Sequence, residues 1–161
     1  MKMAVRIKYR INLPDIGFTL TELMVAVTII GILATVVIPK FTSASKKSAE
    51  ATTKGNLGSI RSALTIYYSD IEGQYPTDVL ALTNNGKYLK SFPKAKTPGY
   101  HSDSSNIRQS RESGGPPGLR AINDGAGEGW AYFNNTQEAN FGSFWVNCTH
   151  TDGKGTNWNQ Y

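Results

Sequence analysis

Glu22 sits near the start of the only long apolar run in the chain, DIGFTLTELMVAVTIIGILATVVIPKF, from Asp15 to Phe41. A carboxylate placed in hydrocarbon is costly, so such a residue marks a functional site with a partner of opposite charge. The chemistry it suggests is charge pairing, not catalysis. Cys148 and His150 stand two apart and can share a strand face, as a thiol nucleophile with its base or as a metal-ligand pair would. Their spacing matches no strong metal motif. The expectation is a small packed cysteine and a rim histidine, with no catalytic residue and no metal. His101 lies in loop composition with no nucleophile beside it. NDGAGEG (Asn123–Gly129) fits neither a phosphate loop nor an EF-hand and reads as a turn. Cys148 is alone, so no disulfide forms within the chain.

The element that positions Glu22 is the apolar run itself. Phe18 to Ile38 contains no Lys or Arg and is long enough as a helix to cross the ~30 Å hydrocarbon core. Basic residues precede it, which places the N-terminus on the cytoplasmic side. A cleaved signal peptide fits less well. The run is too long, Glu22 lies inside it, and the small-residue site SAS (Ser43–Ser45) is set off by Pro39, Lys40 and Phe41. Pro39 removes the amide that would bond the carbonyl of Thr35. Gly31 is a weak helix former, and Val36, Val37 and Ile38 are β-branched. Gly31 to Pro39 is therefore where this helix is easiest to bend or melt.

The order GFTLTELMVAVTIIGILATVVIPKF resembles the N-terminal signature of type IV pilins and type II secretion pseudopilins. The matching positions are Gly17, Phe18, Leu20, Glu22, Gly31 and Pro39. The resemblance implies cleavage after Gly17 by a prepilin peptidase and N-methylation of the new terminus, Phe18. Glu22 is then the fifth residue of the mature chain and an assembly residue, able to meet the α-amino group of a neighbouring subunit. Gly31–Pro39 is the stretch that loses helicity in the filament. Implied partners are other copies of the chain, the peptidase/N-methyltransferase, an inner-membrane assembly platform, minor pilins or pseudopilins, and the membrane.

Net charge fits this picture. The chain carries 17 basic and 12 acidic residues. The leader Met1–Gly17 takes four of the basic residues and one acid, so only a small positive excess remains. No dense basic patch survives, and no specific nucleic-acid partner is expected.

Beyond the run, Leu57, Ile60, Leu64, Tyr67 and Ile71 form one apolar stripe at helical spacing. Phe41, Ala44 and Ala51 fall near its upstream extension. One helical spine is expected from about Phe18 to about Glu72, stopped by EGQYPT. Val79–Phe92 reads as a short helix or turn region. TPGYHSDSSNIRQSRESGGPPG reads as loop. GWAYFNN and SFWVNCT pair as an antiparallel hairpin around Asn135–Gly142, with Phe144, Val146 and Cys148 on one face and Trp145 and Asn147 on the other. LRAIN (Leu119–Asn123) adds a third strand in this reading, and the tail TDGKGTNWNQY is irregular.

YYSDIEGQYPTD, NGKYLKSFPK and GWAYFNN resemble major pseudopilins of type II secretion. That resemblance implies calcium near the C-terminus. Here Asp152 lies in the corresponding region with no second acid after it, whereas a calcium cage wants several oxygen ligands.

The expected fold is α+β. A leader (1–17) precedes a membrane-spanning or filament-core helix (18–38). The amphipathic half of the spine (39–72) then packs against a small antiparallel sheet in the head (73–161). The expected function is a structural subunit of the periplasmic pseudopilus, anchored in the bacterial inner membrane before assembly, and not an enzyme. The alternatives are a type IV pilus subunit or a membrane-tethered binding or enzymatic domain.

Overall fold

The structure is a computed structural model that describes residues 17–110 and 129–161. The chain divides into two compact units between Phe41 and Thr42. The leader residues 1–16, the LRAIN segment and most of NDGAGEG lie outside the described residues.

Helix α1, Leu20–Asp70, contributes to both units. In the first unit its apolar side chains face outward all round: Leu23, Val27, Ile30, Val36 and Phe41 are each more than half exposed. A helix that is apolar on every side needs an apolar surrounding. By length and composition the helix is long and apolar enough to cross a membrane. The helix continues through Gly31 and Pro39. Thr28 and Thr35 turn their hydroxyls back onto the carbonyls of Met24 and Ile32, a habit of Ser and Thr inside helices that bends them slightly.

The second unit is built on the remainder of α1. Leu57, Ile60, Ala63 and Leu64 are buried, as the 3.6-residue period requires. Tyr67 packs against that cluster, whereas Ile71 is 43% exposed. Upstream the expected stripe fails. Phe41, Ala44 and Ala51 are exposed, and the buried position is Thr53. Its hydroxyl donates to the carbonyl of Lys96 (2.8 Å) and accepts from the amide of Lys96 (2.7 Å). A satisfied threonine costs little to bury, but it carries no apolar signal.

The helix ends two residues before the expected Glu72. Glu72 takes a left-handed conformation (φ 49°), and the amide of Gly73 donates to the carbonyl of Tyr68 at 2.9 Å. This closes a Schellman turn, with Glu72 at the position glycine usually fills.

A 3-10 helix, Val79–Gly86, follows, capped by Asp78, whose side chain accepts from the amide of Leu80. Three strands complete the unit: β1 (Ile107–Ser110), β2 (Trp130–Phe133) and β3 (Phe144–Val146), in the order β1-β2-β3. β2 and β3 form the expected antiparallel hairpin, with Trp130 opposite Val146 and Tyr132 opposite Phe144. The sheet as a whole is mixed. β1 runs parallel to β2, pairing Ile107 with Trp130. Its sequence, IRQS, lies in the stretch read as loop, because one apolar residue in four gives no period. β1 is held by Gln109, which accepts from the amide of Val79 and donates to Asp78.

The core joins Leu57, Ile60 and Leu64 to Val79, Leu82, Trp130, Tyr132, Phe144, Val146 and Cys148. The other sheet face gathers Ala131, Phe133 and Trp145, so the expected alternation along β3 holds. The tail is not irregular throughout. Trp158 is 1% exposed and opens a second 3-10 turn, Trp158–Gln160.

Candidate assembly site and the head clusters

Gly17, Phe18 and Thr19 precede the first turn of α1 in the sequence TLTE. The Thr19 hydroxyl accepts from the amide of Glu22 (3.2 Å). The Glu22 carboxylate accepts from the Thr19 amide (3.0 Å) and from the Thr19 hydroxyl (2.7 Å). This is a capping box, which satisfies two amide donors that a helix N-terminus leaves orphaned. The acid also stands at the positive end of the helix dipole. Glu22 thus has a partner inside its own chain, which the sequence reading overlooked. The pattern Thr-x-x-Glu before an apolar run was there to be seen. Phe18 is 83% exposed, and a side chain built on Gly17 would meet nothing within 4 Å.

In the head, Asp152 is the centre of a polar cluster. Its side chain is fully enclosed and meets Lys54 Nζ at 2.6 Å. The Tyr161 hydroxyl donates to the same oxygen at 2.7 Å and accepts from Lys54 at 2.8 Å. The second Asp152 oxygen accepts from the amides of Lys154 and Thr156. The Lys54 ammonium lies 4.0 Å from the centre of the Tyr161 ring. The bond from Lys54 lowers the Asp152 pKa well below the carboxylate range, against desolvation, with Tyr161 and the two amides adding to it. For Lys54, desolvation pulls the pKa down, but Asp152 and Tyr161 outweigh it and the net shift is upward.

The implied calcium does not fit these residues. Both Asp152 oxygens are committed, and a lysine ammonium stands where a cation would go. The next acid, Glu50, accepts from the amide of Gly153 at 3.0 Å. Calcium takes six to eight oxygens, and this chain meets the loop's anionic charge with Lys54 instead.

Cys148 is buried in the core, as expected of a small packed cysteine, and its Sγ lies 3.6 Å from His150 Nδ1. His101, which no spacing rule linked to this pair, joins them. The three possible ligand atoms lie within 4.8 Å of one another. Gly129 helps bring them together. A Cβ there would stand 2.2 Å from the carbonyl oxygen of Ser104 and 2.9 Å from Ala95 Cβ. Only glycine lets the start of β2 lie so close to the 95–104 loop that carries His101.

The apolar N-terminal helix, its capped start and the small α+β head define a pilin-like class of protein. Residues 15–38 match the family model for the prokaryotic N-terminal methylation motif. The chain is 39% identical over 79 residues to fimbrial protein EcpC of Eikenella corrodens, covering 47% of this chain and 51% of that one. It is 41% identical over 61 residues to type IV major pilin protein PilA of Myxococcus xanthus, covering 38% and 28%. It is 36% identical over 93 residues to type II secretion system core protein G of Aeromonas hydrophila, covering 48% and 64%. The chain thus spans about half the length, from 28% to 64%, of the curated relatives it matches. No solved structure matches. The chain thus carries the N-terminal methylation motif and is similar, over about half its length or less, to type IV pilins and type II secretion core proteins.

Proposed function

We propose that the chain is a structural subunit of a pilus-like filament, specifically the periplasmic pseudopilus of a type II secretion system, and not an enzyme. The observation that carries the filament role is the N-terminal methylation motif lying on a helix whose apolar surface is exposed all round. Such a surface can be covered first by lipid and then by neighbouring copies. The chain enters the inner membrane with its N-terminus cytoplasmic and its head periplasmic. A prepilin peptidase cuts after Gly17 and methylates Phe18. The assembly platform, with minor pseudopilins, then draws the subunit into the filament.

The resemblance of YYSDIEGQYPTD, NGKYLKSFPK and GWAYFNN to major pseudopilins supports this reading. Cys148 is the only cysteine, and the polar cluster around Asp152 holds the C-terminal loop. The relatives named for fimbriae and type IV pili support a second reading, a type IV pilus subunit. Deleting the gene and measuring export against twitching or surface piliation separates the two.

Processing is tested on membrane-extracted protein by intact mass and N-terminal sequencing. The expected mature chain starts at Phe18 and carries one added methyl group. A start after Ala44 would mean a cleaved signal peptide and would end the pilin reading.

The unbroken helix through Gly31–Pro39 is the form of the subunit outside the filament. On assembly this window becomes partly extended, because Pro39 leaves the Thr35 carbonyl without its helical donor and Gly31 holds the helix weakly. A filament density map showing continuous helix across it would contradict the proposal.

A further inference from the structure

We propose that His101, Cys148 and His150 bind one zinc ion in the head, with an open fourth coordination position. The three donors come from two separate segments, the 95–104 loop and the exit of β3, and the fold brings their ligand atoms within 4.8 Å of one another. Two ligands on one tetrahedral zinc, a thiolate at about 2.3 Å and an imidazole nitrogen at about 2.0 Å, stand roughly 3.5 Å apart. Cys148 Sγ and His150 Nδ1 stand at 3.6 Å. Closing on a metal therefore asks His101 to draw in by at most about 1.3 Å, from within 4.8 Å to the roughly 3.5 Å spacing, and asks little of the Cys148–His150 pair.

The rings are already oriented. Tyr100 stacks on His150 at 4.2 Å, and His101 meets His150 edge-on at 5.1 Å. The backbone is held on both sides. The Ala95–Ser104 bridge closes the loop, and the His150 carbonyl accepts from the amide of Trp158. Cys148 is 1% exposed, so a thiolate formed there is shielded from water. Binding replaces the thiol proton with the metal, and that proton leaves to solvent. The donor set contains one soft sulfur, two imidazoles and no carboxylate. That chemistry suits zinc and not calcium or magnesium. Three protein ligands leave the fourth position for water. A bound ion would tie the 95–104 loop to the end of β3.

The experiment uses untagged full-length protein in detergent, stripped with chelator. Zinc is added and excess removed, and metal per chain is measured. Cobalt then serves as the coloured probe. The expected result is one zinc per chain and a thiolate-to-cobalt charge-transfer band, with visible bands of tetrahedral intensity. Cys148→Ala abolishes the charge-transfer band. His101→Gln and His150→Gln each weaken cobalt binding by roughly tenfold or more, since even partners outside the ligand shell are worth that much. Both histidines are only part-buried, so these variants are expected to keep the wild-type circular dichroism and still report if Cys148→Ala fails to fold. A wild-type chain without the charge-transfer band would overturn the proposal. So would equal cobalt affinity in the wild type and both histidine variants, which would leave a thiol with adventitious metal.

Discussion

Glu22→Gln is expected to be inserted and cut at Phe18 like the wild type, and to build no normal filament. The variant separates two roles that the structure places on one side chain. In the capping box Glu22 accepts hydrogen bonds from Thr19. Glutamine is the other residue that serves at this position, so the cap survives the change. What is lost is charge. In the proposed processing, cleavage after Gly17 would create an ammonium at Phe18, beside the positive end of the helix dipole, where a cation is unwelcome. In an offset packing the Glu22 carboxylate of one subunit can meet that ammonium on the next. Attraction between unit charges strengthens as water is excluded, so the pair sets register as well as affinity. Glu22→Ala loses both charge and cap and is expected to fail in the same way. The measurement is filament yield and subunit rise, with processing checked by mass. If Glu22→Gln assembles at wild-type yield while Glu22→Ala does not, capping is the whole role and the pairing mechanism is wrong.

Asp152→Ala is expected to destabilise the head by about 3 kcal/mol, the lower end for breaking a buried ion pair. The lower end applies because the Lys54 side chain is 31% exposed and can recover water. The loss includes the hydroxyl of Tyr161 and two loop amides left without their acceptor. The pH dependence has a definite sign. The folded Asp152 pKa lies below its unfolded value of about 3.9. Its stabilisation is therefore full above about pH 4 and is lost as pH falls toward the folded value. Lys54 is shifted upward, so its share is full below about pH 10.4 and fades only as pH rises through the folded value. Thermal unfolding of wild type and Asp152→Asn across the acid range checks this. The wild type should lose stability below about pH 4 more steeply than the variant. Parallel curves would show that Asp152 is not the ionised centre of the cluster.

The features legible in the sequence were those with a period or a fixed order. The methylation motif that contains Gly17, Phe18 and Glu22 was legible because its residues follow one another in one segment. Leu57, Ile60 and Leu64 declared the buried side of α1 through the helical repeat. Phe144, Val146 and Cys148 separated from Trp145 by strand alternation. Each signal is local, because the geometry of a single helix or strand dictates which residues share a face. Tertiary structure alone decided the rest. β1 pairs with β2 although IRQS has no alternation, since its partner strand and Gln109 supply what its own side chains do not. Thr53 replaces the expected alanines in the helix seam because two hydrogen bonds to Lys96 satisfy it. Lys54 meets Asp152 across 98 residues of chain, and His101 reaches Cys148 and His150 from a separate loop. Polar pairing of this kind depends on atoms meeting in space at about 3 Å, and no spacing along the chain encodes which distant residue that will be.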